Sequence, residues 1–229
     1  MTMMRTIAKI LALLFLGTAS LAADTRKLSL RAYLHDPVKP HGGEFTVEGG
    51  DPQPLPLRSG ALSSAVEVPV TDGELRLQLE GGKRAALAKM PGEWTNAIAI
   101  ILPDTAKDAT LPYRVLLLED SVKAFPWGSS QAVNLLPIDA AVQAGEHKLI
   151  LQSGKVTHVP AVHQVNEFNI AQTNFNYKQG EQWVPFTERQ LQYLDEMRRV
   201  FLIYATPGSQ RPFVTTLVDH KPAELSEKN

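Results

Sequence analysis

The sequence predicts a mainly β protein, an antiparallel β-sandwich of immunoglobulin-like or related type. Three observations carry this. Apolar and polar residues alternate with period two along several segments, strand-sized runs recur with turn chemistry between them, and no β-helix-β repeat is present.

Taken in order, Leu28, Leu30, Ala32 and Leu34 share one face of an extended segment, with Ser29, Arg31, Tyr33 and His35 on the other. Weaker strands are expected at Glu44–Glu48, Pro54–Arg58 and Ser64–Val70. Pro56 and Pro69 cannot donate to a ladder, which places these segments at a sheet edge or strand end. Asp72-Gly73 is a hairpin signature, and Leu75, Leu77 and Leu79 alternate with Arg76, Gln78 and Glu80 just beyond it. Arg84–Met90 reads as a single helical turn stopped by Pro91-Gly92. Ala97–Leu102 and Tyr113–Leu118 are nearly continuous apolar runs, expected as central strands covered on both faces. Gln131–Leu135, Ala140–Gln143, His147–Leu151 and Lys155–Val159 then form a meander with turns at Gly145 and Gly154. One helix is expected near 187–199: Thr187 and Gln190 make a capping-box pattern, and Leu191, Leu194 and Met197 recur at three-residue spacing. Val200–Ala205 and Pro212–Val218 flank the last turn.

The leader is legible too. Arg5 and Lys9 precede an apolar core, Ile10–Gly17, and Ser20-Leu21-Ala22 places small residues at the positions a signal peptidase reads. Residues 1–22 are therefore expected to be a cleaved signal peptide, since the apolar run falls far short of the ~20 residues of a spanning helix. Residues 23–225 form the β-sandwich unit and 226–229 a frayed tail. The segment near 103–112, rich in proline and charge, is the one candidate seam. One large sandwich or two small ones both fit, and the mutually burying strands on either side of that segment favour one continuous unit.

After cleavage, 21 Lys and Arg stand against 24 Asp and Glu, a formal charge of −3. That balance gives no electrostatic reason to expect nucleic acid or an anionic membrane. The chain has no cysteine, which excludes thiol chemistry, disulfides and a lipoprotein anchor, and no Asn-x-Ser/Thr sequon follows the leader. A periplasmic or secreted bacterial protein with no membrane span after processing fits these features.

Catalytic signatures are missing. Gly82-Lys83 and Gly154-Lys155 lack the frame of a phosphate loop, and Gly128-Ser129-Ser130 lacks that of a nucleophile elbow. The histidines His35, His41, His147, His158, His163 and His220 show no ligand spacing, so no metal and no cofactor is expected. Glu119-Asp120 and Asp195-Glu196 are adjacent carboxylates, whereas a glycosidase needs a pair set across a sugar. Trp94, Trp127 and Trp183 sit beside turn formers, and Phe175 and Tyr177 alternate onto one face. Trp94, Trp127, Trp183 and Tyr177 are thus the candidate ligand-binding residues, through stacking on a glycan, against the alternative that the rings plug sandwich ends.

Phe125-Pro126-Trp127-Gly128-Ser129, then Val133-Asn134-Leu135 and Ala144-Gly145-Glu146, resemble a pattern of exported bacterial β-sandwich proteins of unknown function. The resemblance covers about the second half of the chain and implies envelope residence and a sandwich, with no activity to carry over. Asn134, an amide inside an apolar strand, must be hydrogen-bonded if buried, and a bracket for a neighbouring loop is expected. The functional expectation is a non-catalytic binding or scaffolding domain of the cell envelope, partnered by another envelope protein or a glycan. The alternative is an extracellular polysaccharide-binding or polysaccharide-hydrolysing protein using Glu119 or Asp120.

Overall fold

The computed structural model describes residues 24–36, 44–49, 53–57 and 60–222, so the leader, His41, Arg58 and the tail lie outside the described residues. The first eight strands are β1 (Thr25–Leu34), β2 (Phe45–Val47), β3 (Gln53–Pro54), β4 (Val66–Thr71), β5 (Glu74–Leu79), β6 (Lys83–Lys89), β7 (Asn96–Pro103) and β8 (Tyr113–Glu119). They form one eight-stranded sheet that folds over at the β4–β5 hairpin into two layers, β3-β2-β5-β6 and β4-β1-β7-β8. That hairpin turns on Asp72 and Gly73, at φ 53° and 72°, the left-handed pair a two-residue turn requires.

The next eight repeat the plan. They are β9 (Ser130–Asn134), β10 (Ala140–Ala144), β11 (His147–Leu151), β12 (Val156–Val159), β13 (Ile170–Gln179), β14 (Gln182–Gln192), β15 (Met197–Tyr204) and β16 (Phe213–His220). Their layers are β11-β10-β13-β14 and β12-β9-β15-β16. The first strand of each set pairs in parallel with the seventh, β1 with β7 and β9 with β15, and the seventh pairs antiparallel with the eighth. Two copies of one eight-strand connectivity therefore follow each other along the chain.

Burial follows from alternation. Ala97, Ala99 and Ile101 of β7 face a core completed by Leu28, Phe45 and Leu77. Ile98, Ile100 and Leu102, on the opposite face, enter a middle core with Val133, Val200, Leu202 and Leu217. Phe201 and Ile203 of β15 turn to a third core with Phe175, Val142 and Leu151. The inner sheets are thus greasy on both sides, and four layers stack around three cores. Among the described residues no helix is long and apolar enough to cross a membrane.

The mainly β architecture is as the alternation predicts, with several differences. The helix expected near 187–199 is absent: Gln182–Gln192 is strand β14, residues 193–196 turn, and Met197 opens β15. Val184, Phe186 and Thr187 suit an extended edge strand, and β13 supplies a complete antiparallel partner, which overrides the weaker three-residue spacing. Arg84–Met90 is not a helical turn, because β6 pairs along β5 from Leu79↔Lys83 to Glu74↔Lys89. Tyr113–Leu118 is an edge strand, β8, not a central one. The sheets are also not purely antiparallel, given the β1–β7 and β9–β15 pairs.

Candidate functional site

The two inner sheets face each other with their parallel strand pairs running to a common end. There β1, β7, β9 and β15 finish, and a cleft of about 650 Å3 opens between the halves of the chain. His35 follows β1, its backbone N–H tied to the Ile101 carbonyl at 2.9 Å. Its imidazole is 6% exposed and stands edge-on to Tyr204, ring centroids 4.3 Å apart. Among the described residues Nε2 of that ring has no hydrogen-bond partner although it is buried. Burial depresses the imidazole pKa below its usual value, more than neighbouring Asp36 raises it, so the ring is neutral at pH 7. Tyr204 also stacks on Phe213, at 5.8 Å, and Arg114 stands at the start of β8 on the same cleft. Leu102, Pro103 and Pro112 on one side and Leu135 and Pro207 on the other give the cleft apolar walls.

Below the cleft, four charges brace the halves crosswise. Arg31 of β1 holds Asp219 of β16 with two bonds of 2.7 Å, and Arg198 of β15 holds Asp120, just after β8. Arg198 also donates to Asp219 at 2.9 Å and to the Phe125 carbonyl at 3.0 Å, while its guanidinium lies 4.5 Å from the Phe125 ring centre and 4.3 Å from that of Trp127. Burial pushes both carboxyls up. At Asp219 the two guanidinium groups outweigh it and leave the pKa low, while at Asp120 burial prevails. Two cations and two anions cancel, as buried charges must.

The sequence candidates separate in space. Trp94 is half-buried against the first core, and its carbonyl accepts from Arg26. Trp127 is the lid on Arg198. Tyr177 lies against the third core, 5.9 Å from Phe186. Trp183, 41% exposed, stands beside a shallow depression on the outer sheet with Ile150, Lys148, Gln143 and Asn176. The three tryptophans therefore occupy three separate settings. Glu119 accepts from the Ser121 hydroxyl at 2.7 Å, and Asp120 is committed to the brace. His158 is exposed on β12 and His163 lies in a loop, and among the described residues no three metal-ligating side chains converge.

Asn134 is the bracket its burial demands. Its amide donates to the Ile138 and Leu151 carbonyls at 2.9 and 2.8 Å and accepts from Leu136 N–H at 3.0 Å. The Phe125–Ser129 segment serves the same end: Phe125 is fully buried, Gly128 N–H reaches the Met197 carbonyl at 2.7 Å, and the Ser129 hydroxyl donates to the Pro126 carbonyl at 2.6 Å. Sequence reasoning passes over Arg114 and Tyr204 and weighs His35 only as a histidine without ligand spacing, because each sits at a strand end and they meet only through tertiary packing. The lone signal was His35 on the polar side of the first alternating strand. No protein-family model matches the chain, and no curated protein matches it in sequence.

Proposed function

We propose that this chain is an exported, non-catalytic binding protein of the bacterial cell envelope, whose ligand seats in the cleft between its halves. The observation that carries the reading is the buried His35 Nε2, left without a partner among the described residues, on a residue that lines a roomy, largely apolar opening. Buried polar atoms are nearly always hydrogen-bonded, and an exception on a cleft-lining residue is a polar group that a ligand can satisfy once the ring turns toward it. Clefts of a few hundred Å3 at the junction of two folded units are the usual seat of small ligands. Native mass spectrometry of the protein purified from its own envelope tests this. A bound small molecule should be present, and Leu102→Trp, which fills the cleft, should abolish it. Equal occupancy in that variant overturns the reading.

Glycan binding on the outer sheet is a second reading, supported by exposed Trp183 beside Asn176, Gln143 and Lys148. An aromatic face ringed by amides suits a sugar ring. Affinity electrophoresis in soluble polysaccharides should then retard the wild type and not Trp183→Ala. Identical mobility in every polysaccharide removes this reading.

A further inference from the structure

We infer that the cleft takes a small amphipathic carboxylate, its acid held by Arg114 and its apolar body lying against the other half of the chain. The inference rests on the cleft being the ligand seat, and it comes from comparing the two halves position by position. The pairing registers fix the match. Arg31 pairs with Ile98 and Gln131 with Val200, so four residues further on His35 corresponds to Leu135 and Leu102 to Tyr204. The backbone agrees: His35 N–H bonds the Ile101 carbonyl, and Leu135 N–H bonds the Ile203 carbonyl. Leu102 pairs with Arg114 and Tyr204 with Phe213, so Arg114 corresponds to Phe213.

At two of the three matched places the first half is the polar one, while at the third Tyr204 stands where the first half has Leu102. The first half offers an imidazole and a guanidinium where the second offers Leu135 and Phe213. Packing alone gives no reason for this, since the same backbone positions tolerate hydrocarbon. Among the described residues no carboxylate lies within ion-pairing distance of Arg114, whereas Arg31 and Arg198 are both paired. A planar guanidinium left open at a cleft suits a carboxylate, which it can hold through two parallel bonds. Asp36, also in the cleft, already has a partner of its own. It disfavours a second anion close to it, which leaves the Arg114 end for the acid. Leu135, Pro207 and Tyr204, the last backed by Phe213, give the body of the molecule an apolar and aromatic wall.

Titration calorimetry at pH 7.5 with 4-phenylbutyrate and its uncharged amide, 4-phenylbutyramide, tests the assignment. The acid should bind at least tenfold more tightly than the amide. Arg114→Gln, a change at an exposed edge position whose folding is checked by its melting temperature, should erase that difference while keeping amide binding. Phe168→Ala, at an exposed position that does not line the cleft, should leave both affinities unchanged. Equal binding of acid and amide by the wild type overturns the carboxylate assignment and leaves the cleft as a ligand seat. Failure of both probes to bind or to shift the NMR signals of His35 and Tyr204 overturns the assignment and counts against the cleft itself.

Discussion

Replacing Arg198 by methionine keeps most of the side-chain length and removes the charge that joins four partners. The guanidinium is 4% exposed and spends its nitrogens on Asp219, Asp120 and the Phe125 carbonyl, with aromatic rings of Phe125 and Trp127 on its faces. Methionine can keep the ring contacts but none of the hydrogen bonds. Two carboxylates then face Arg31 alone, and Asp120 lies 3.7 Å from it. Removing one partner of a buried ion pair costs about 3–5 kcal/mol, because the other is stranded. For a chain of this size that lowers the melting temperature by roughly 6–20 °C. Solvent does not reach the group, so adding salt from 0.05 to 0.5 M should change the difference little. Urea melts followed by circular dichroism measure it, and the double variant Arg198→Met/Asp120→Asn supplies the control. Neutralising the stranded acid should recover about 1–3 kcal/mol relative to additive behaviour. A single variant that costs under about 1 kcal/mol, or strict additivity in the cycle, refutes the claim that these charges brace the halves.

Gly145→Ala should lose roughly 2–4 kcal/mol in a thermal melt, because a Cβ there meets Val162 Cγ1 at 2.4 Å and the backbone is left-handed at φ 51°. Asn134→Ala strands two buried carbonyls and an amide and should cost about 3–5 kcal/mol in urea unfolding. Burial raises the Glu146 pKa, but the His163 and Gln164 amides outweigh that and hold it at about 2, below its unfolded value. The stability it contributes is present above the ordinary carboxylate range and vanishes as pH falls toward 2, so acid melts of Glu146→Gln should show a shallower loss over that window. His35 is depressed in the fold, so its contribution is full above pH 6.5 and falls as pH drops through its folded pKa. His35→Gln should flatten the melting temperature between pH 7.5 and 5.

The fold was legible wherever one face of a strand carries polar side chains. Leu28–Leu34 and Leu75–Leu79 show their alternation openly, and Asp72-Gly73 announces its turn. Ala97–Leu102 was readable as buried, yet an unbroken apolar run does not say that its even residues serve one core and its odd residues another. The repeat was hidden for a related reason. Connectivity is shared by β7 and β15, but Asn96 in one corresponds to Arg198 in the other, so matched places carry unlike side chains. At β14 a local helical spacing competed with a long antiparallel pairing that sequence cannot display. The cleft depends on four strand ends meeting, and no stretch of chain shorter than the whole fold contains it.

The short bridge between the halves, Ser121–Ser129, has a consequence for how copies of this chain behave together. Swapping an arm with a neighbouring molecule requires a connector that can straighten. Here straightening means pulling Phe125 out of an oily interior, breaking the hydrogen bond its N–H donates to the Ser121 carbonyl and detaching Arg198 from its carbonyl. Concentrated solutions should therefore keep each molecule's arms closed on themselves, and entanglement into intertwined pairs should begin only once that connector has been loosened.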